Sequence, residues 1–469
     1  NGEEHFFPII YSGNGQGQRV GKFVPFTDNG TIAKSCMFND GDSPYLTRTQ
    51  DSGTGDQKRK ATFSWWFKRG SSFGTEMIHV AAAPSSRLLA RFDTSNRLVF
   101  RLTNGTTEYQ KVTNMTFEDS SKWYHCHWQI DASQSTATDR SKVWIDGDQI
   151  TSWSSDSNPG QNTDVVGLSD GTTQRVSGTS HSTGQYFDGY LAEFNYCDGV
   201  ITTVDNFGIT DTATGRWIPK ELSGITYGSN GFRLQFGTDS ALGDDTSGNT
   251  NDFSSSGLTT SDQRTDTPTN NLPIMRPYNP SYSQTLSEGN LQTATTAINR
   301  GYPMCSTLRP KGSGKYYAEV RFSSTGGGNT VNFGCYAQED LHNYSSGNAY
   351  TGGSNLGSGY WYVHGGHSSQ GFYHNGTKTS SDSSSFSSGD VLGLALDLDN
   401  GTLSFYNDDG NLFGSTTFDS SKSACFAAMT NASGINFIWN FGDNGTFNGN
   451  ETAGGNADED GIGNFFHSV

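Results

Sequence analysis

Glu193 and Asp198, in the run AEFNYCD, are the carboxylates whose placement most invites a test for acid–base chemistry. Hydrolysis of a glycosidic bond needs two carboxylates a few residues apart facing one groove. A spacing of five puts these two on opposite faces of a regular strand, and no run close to E-x-D-x-x-E occurs. The chain therefore reads as non-enzymatic. His125 and His127, two apart, would share one strand face as metal ligands do, but no third ligand accompanies them, and a packed strand is the expected reading. His364 and His367 lie in a glycine-rich stretch with no more support. Asp244, Asp245, Asn249 and Asp252 form an oxygen-rich run that suits calcium in kind, although not in EF-hand spacing. Clusters of Asp, Asn, Ser and Gly are also ordinary turn formers. Calcium is thus the one cofactor the sequence admits, with Asp458-Glu459-Asp460-Gly461 a weaker place for it.

Binding residues are easier to find than catalytic ones. Tyr344, Tyr350, Tyr360, Trp361 and Tyr362 are spread among Gly, Ser and Asn. Aromatic faces stack on sugar rings while amides and hydroxyls offer hydrogen bonds, and protein-binding loops use the same residues. The alternative is that Trp361 and Tyr362 belong to a strand, with one of them in the core. At the other end, Phe6, Phe7, Ile9, Ile10 and Tyr11 form an apolar cluster before the glycine-rich run Ser12 to Gly17. Residues 1–30 either fold back on the neighbouring domain or dock into a partner.

These residues need a scaffold, and composition says which kind. The chain has 469 residues, enough for two or three domains with their own cores. Hydrophobic residues make up only 32%, but aromatics supply 13% and glycine 59 positions. Short apolar runs broken by Gly, Asn, Asp and Ser point to antiparallel β-sandwiches, and recurring aromatics argue against disorder. Net charge is −17, with 22 Lys and Arg against 31 Asp and Glu before Pro273 and 8 against 16 from there on. Both halves are acidic and no basic patch exists, which excludes nucleic acid as a partner. No apolar run suits a membrane helix, so membrane insertion is not expected. Cys36, Cys126, Cys197, Cys305, Cys335 and Cys425 divide three to each half beside apolar neighbours. Odd counts suit buried strand thiols and assembly in a reducing cytoplasm better than a disulfide framework. The sequence opens at Asn1 rather than Met, as a processed or partial chain does.

Strand follows strand from about Ser35 to Asp245. Leu98 to Leu102 leads into Asn104-Gly105, and Lys142 to Ile145 into Asp146-Gly147, both hairpin signals. Five Asn-Gly-Thr triplets, at Asn29, Asn104, Asn375, Asn400 and Asn444, are read as turns rather than glycosylation acceptors. In DVLGLALDLDNGTLSFYNDDG, from Asp390, a two-residue type I′ turn at Asn400-Gly401 would place Leu398 opposite Leu403 and Leu396 opposite Phe405. The expected plan is an extension over 1–30, a sandwich over 31–253, a Ser/Thr/Asp/Pro linker over 254–272 and a second sandwich over 273–469.

The motifs SCMFNDGDSPYLTRT from Ser35, ATFSWWFKRG from Ala61, KWYHCHWQID from Lys122, KVWIDGDQI from Lys142 and FDGYLAEFNYCDG from Phe187 together resemble a laminin-G-like, concanavalin-A-like jelly roll. GKYYAEVRF from Gly314, Asn332 to Cys335, GFYHNGTK from Gly371, the Asp390 hairpin and Asn436 to Gly442 resemble a SPRY domain. The pair, joined by DQRTDTPTNN, resembles virion proteins of tailed phages. That resemblance implies a fibre, tail appendage or head decoration, made in the host cytoplasm and acting at the host surface. Its partners would be a bacterial surface glycan or receptor and other virion proteins, with several copies, a trimer favoured, raising weak affinity by about 10² to 10⁴. The alternative is a capsid decoration or filament subunit that binds only other virion proteins.

Overall fold

The computed structural model describes residues 30–70, 74–83, 86–179, 184–277, 284–295, 304–323, 331–339, 359–364, 370–374, 377–382, 386–430, 435–458 and 463–468. The chain divides into two compact units, with the boundary between Asn271 and Leu272. Each unit is a sandwich of two antiparallel sheets, so the all-β, tandem-sandwich fold expected from the sequence is the fold observed.

In the first unit, sheet I runs in the order Asp148–Gln149, Ser141–Ile145, Tyr124–Asp131, Lys60–Arg69, Gly189–Asp198, Ser35–Phe38, Gln263–Arg264, with Phe232–Leu234 also paired to Gly189–Asp198. Sheet II runs Trp153–Asp156, Glu108–Thr116, Arg97–Thr103, Ser86–Phe92, Met77–Ala83, Thr173–Val176, Tyr45–Thr49, Ser254–Ser256. The Lys60–Arg69 strand shows why one half of this sheet reads as continuous apolar sequence. Phe63, Trp65 and Phe67 enter the core between the sheets, while Trp66 joins a second buried cluster on the outer face with Met37, Trp123 and Tyr190. A strand covered on both sides loses the polar alternation of a half-exposed one. Cross-strand rings make the core: Phe63 stacks on Tyr196 at 4.7 Å, Trp65 on Phe194 at 5.4 Å and Phe67 on Tyr124 at 5.3 Å.

The linker expected over 254–272 is not a linker. Ser254–Ser256 pairs with Tyr45–Thr49, and Gln263–Arg264 pairs with Ser35–Phe38 at the edge of sheet I. The chain then crosses the outer face of that sheet. There Lys68 Nζ donates to Asp266 Oδ2 at 2.6 Å and to Asn271 Oδ1 at 2.8 Å, and Trp123 Nε1 donates to Asp266 Oδ1 at 2.8 Å. Lys68 and Asp266 are 0% and 1% exposed, so a run with a linker's composition is tied down by a buried ion pair.

In the second unit, sheet III runs Met275–Pro277, Met304–Ser306, Ala424–Thr430, Val331–Ala337, Gly359–His364, Gly371–His374, Thr377–Ser381. Sheet IV runs Gln284–Ser287, Gln292–Thr295, Asn436–Asn440, Lys315–Phe322, Val391–Asp397, Thr402–Tyr406, Leu412–Thr417. Between them lie Val320, Phe322, Phe333, Leu394, Leu396, Leu403, Phe405 and Trp439. The Asn400-Gly401 hairpin differs from expectation in register. Asp397 pairs with Thr402 and Leu396 with Leu403, leaving a four-residue loop. Gly401 has φ +62° but Asn400 does not have the positive φ a type I′ turn needs. Asp397 instead accepts from Asn400 N at 2.9 Å and Nδ2 at 2.8 Å, and Leu398 turns into the core. The register moved by two, so each side chain kept its face.

Candidate functional site

The aromatic set proposed from sequence is only partly within the described residues. Tyr344, Tyr350 and His367 lie outside them, as do Phe6, Phe7, Ile9, Ile10 and Tyr11. Tyr360, Trp361 and Tyr362 fall in the strand Gly359–His364, which ends at His364. Tyr360 pairs with Cys335 and Tyr362 with Phe333, both core positions, whereas Trp361 pairs with Gly334 and Tyr373. The same pairing sets Tyr336 beside Gly359, so both ends of residues 338–358, which carry Tyr344 and Tyr350, start from adjacent strands of one sheet.

The outer face of sheet I gathers most of the remaining candidates. His125 and His127 do share one face, opposite Trp66 and Ser64. Both are 0% exposed, near the hairpin of Gly208–Thr210 and Trp217–Pro219. His125 Nε2 and Ser64 Oγ are 2.8 Å apart, and Trp217 Nε1 donates to His125 Nδ1 at 3.0 Å. The His127 ring packs against Trp144 and Phe207. Burial holds the His125 ring well below its usual pKa and pushes His127 down to about 3, so both stay neutral as packed rings.

Glu193 and Asp198 are separated in partners as well as in face. A one-residue bulge interrupts the pairing of Gly189–Asp198 with Lys60–Arg69 between Ala192 and Asn195, and Glu193 sits in it at φ +47°. The Arg233 guanidinium holds the Glu193 carboxylate in a fork, with Nε to Oε1 at 2.8 Å and Nη2 to Oε2 at 2.9 Å. Asp198 accepts from Ser169 Oγ at 2.6 Å, Gln57 Nε2 at 3.0 Å and Asn230 N at 3.0 Å, which locks three loops to the strand end. Ser64, Trp66, Glu193, Asn195, Phe207 and Lys220 border a crevice of about 200 Å³ beside the bulge. Most of that space is open to solvent and the enclosed part is about 10 Å³, room for no more than one water, far below the about 300 Å³ from which small-molecule pockets begin. It can accept the edge of a polar group but not enclose a ring.

The calcium candidates fold as a turn around one carboxylate. Asp245 accepts from Arg233 N at 2.9 Å, Ser247 N at 2.8 Å and Asn251 N at 2.9 Å, and Asp252 Oδ1 accepts from Asp245 N at 2.8 Å. Asn249 Nδ2 donates to the carbonyls of Gly228 and Gly231, so its amide is spent on the same fold. Among the described residues no three His, Cys, Asp or Glu side chains converge as metal ligands.

Sequence reasoning missed two charged hubs. Lys68, a cation inside the apolar run TFSWWFKR, was the available signal for the first, since a buried charge demands a partner. The second is Glu319, 0% exposed, which accepts from His467 N at 2.8 Å, Phe466 N at 3.0 Å and Asn440 Nδ2 at 2.8 Å. Burial raises its pKa, and the donors oppose that shift. Its position in YYAEVRF gave the same kind of signal, and its partners lie more than a hundred residues away.

The order of strands Lys315–Phe322, Val331–Ala337, Val391–Asp397, Thr402–Tyr406 and Asn436–Asn440 in two facing sheets is the frame against which the family match falls. Residues 315–444 match the SPRY domain. The SPRY half is similar to the SPRY domain of human HERC1, at 15% identity over 32% of this chain and 87% of that chain, with a TM-score of 0.25. Mouse laminin alpha1 chain domains LG4-5 are similar at 9% identity over 91% of this chain and 86% of that chain, with a TM-score of 0.30. The stonustoxin structure is similar at 18% identity and TM-score 0.25, over 36% of this chain but only 26% of that chain. No curated protein sequence matches the chain. SPRY domains are often binding modules.

Proposed function

We propose that this protein is a non-enzymatic fibre or appendage protein of a phage virion, mediating adhesion to the host surface through glycans. The observation that carries the reading is the pairing of Tyr336 with Gly359, which roots both ends of the aromatic, Gly/Ser/Asn-rich residues 338–358 on neighbouring strands of a sheet. A binding segment presented from a rigid scaffold is the usual way sandwiches recognise ligands. The commitment of Glu193 to Arg233 and of Asp198 to Ser169 and Asn230 favours binding over turnover. The partners are a bacterial surface glycan and other virion proteins, and the working form is a homo-oligomer, a trimer by the phage resemblance.

The test is binding of labelled full-length protein to intact candidate host bacteria, before and after periodate oxidation of surface glycans. Saturable binding lost on oxidation, and reduced at least tenfold by Tyr344→Ala with Tyr350→Ala, supports the reading. Binding that survives oxidation moves the receptor to protein. Absence of binding to every plausible host overturns it in favour of a capsid or filament subunit, and a monodisperse monomer at micromolar concentration overturns the homo-oligomer.

A further inference from the structure

Lys68, Asp266 and Asn271 meet on the outer face of sheet I, and all three are buried, at 0%, 1% and 6% exposure. Lys68 Nζ donates to Asp266 Oδ2 at 2.6 Å and to Asn271 Oδ1 at 2.8 Å, so one amine touches both a carboxylate and a primary amide. The other groups of the set are held as well. Trp123 Nε1 donates to Asp266 Oδ1 at 2.8 Å, Ser35 Oγ donates to the Asp266 carbonyl at 2.6 Å, and Asn271 Nδ2 donates to the Ser121 carbonyl at 2.9 Å. With Nδ2 committed to a carbonyl, the amide oxygen is the end that faces Lys68. The buried cluster of Met37, Trp66, Trp123 and Tyr190 lies on the same face, with the Tyr190 ring centroid 5.7 Å from Nζ. The ion pairs Lys60 to Asp56 and Lys122 to Asp146 of this unit remain partly open to water, and this one does not.

We infer that this triad is a self-modifying cross-linking site, at which Lys68 Nζ and Asn271 Cγ join in an isopeptide bond with Asp266 as the proton carrier. The ion-paired arrangement is the reactant state. Burial away from water disfavours the charged pair relative to a neutral amine and a neutral carboxylic acid, and the 2.6 Å hydrogen bond is the path by which the proton crosses. The freed amine is a nucleophile. Its target carbon lies one C=O bond, about 1.2 Å, beyond Oδ1. Rotation about the end of the lysine side chain carries Nζ from the edge of the amide toward attack distance, about 3–3.5 Å. The Nζ–Cγ bond forms and the Cγ–Nδ2 bond breaks. Two of the three protons of the Lys68 ammonium pass by way of Asp266 to the leaving nitrogen, which departs as ammonium, and Asp266 ends as the carboxylate it was at the start. Asn271 rather than Asp266 is the acyl partner, because a carboxylate facing an amine offers no leaving group while a primary amide can release ammonia. The product ties the last residue of the first unit to Lys60–Arg69, the middle strand of sheet I. Tension entering the first sandwich at Asn271 is then carried by a covalent bond rather than by hydrogen bonds.

The experiment is intact mass and peptide mapping of the full-length protein, fresh and after prolonged incubation at neutral pH. The expected result is a mass below that of the sequence by one ammonia, loss of tryptic cleavage after Lys68, and a branched peptide joining Lys68 to Asn271. Wild-type protein gives this readout without any variant. Lys68→Arg keeps a cation in the network but has no amine to acylate, and Asp266→Asn keeps the shape but cannot carry the proton. Both are expected to retain the full mass, with circular dichroism checking that each is folded. A wild-type mass equal to that of the sequence after incubation overturns the inference. So does a loss of water that maps to Lys68 and Asp266, or an ammonia loss that maps to an Asn-Gly pair.

Discussion

His79 is buried with the hydrogen-bonding capacity of its ring unused. It lies in the first core between Phe63 and Phe194, with ring centroids at 5.0 and 5.9 Å, and neither ring nitrogen has a hydrogen-bond partner. Burial pushes its pKa down to about 3. An unfolded histidine titrates near 6.5, so between pH 6.5 and 3 the unfolded chain binds a proton that the folded one refuses. Stability is therefore lost as pH falls through that window and is unaffected above it. His79→Leu keeps the volume and removes two unpaired nitrogens. It is expected to raise stability by about 1 kcal/mol or more at pH 7. It also lowers the slope of stability against pH by about 1.4 kcal/mol per unit between pH 6 and 4. Urea titrations of both proteins at several pH values check this, and an unchanged slope would sink the assignment.

Two hairpins show, at the scale of elements, what a dipeptide can and cannot dictate. Asp146-Gly147 forms the two-residue turn its sequence suggests, with φ of 51° and 84° and Ile145 paired to Asp148. Asn400-Gly401 carries the stronger signal, yet Leu398 is drawn into the core and Asp397 caps the loop, which lengthens it to four residues. The face assignment was legible because strand periodicity is two; the register was not, because it depended on where Leu398 could be buried. Gly401→Ala forces a Cβ into a left-handed conformation 2.9 Å from the Phe418 carbonyl. The expected cost is about 1–2 kcal/mol, measured as a lowered urea midpoint with unchanged slope. The 265–271 segment teaches the converse, since its polar composition hid an element pinned by Asp266. Asp266→Ala leaves Lys68 charged and unpaired in the interior, for an expected loss of about 3–5 kcal/mol. Replacing both partners, Lys68→Met with Asp266→Leu, is expected to recover most of it in the same measurement.

Across the whole molecule, the two largest apolar clusters among the described residues belong to separate units, one spanning Cys36 to Phe253 and the other Ile274 to Phe441. Calorimetry on the full chain is expected to show two transitions, with Asp266→Ala moving one and Gly401→Ala the other. A single transition moved by both variants would contradict two cooperative units. The aromatic ligand candidates of the SPRY half were legible as types but not as a surface. Strand pairing sets Tyr360 opposite Cys335, Trp361 opposite Gly334 and Tyr362 opposite Phe333.

By itself the sequence determined the fold class, the strand content and the face of most side chains, because short aromatic runs with period two between turn residues have few ways to be buried. It also determined the net charge of −17, shared by both halves. Only the tertiary structure decided the partners of the buried charges. Lys68 finds the Asp266 carboxylate and Glu319 the backbone N–H groups of Phe466 and His467 across separations that no local pattern encodes, and a polar group taken out of water must find a partner wherever the fold brings one.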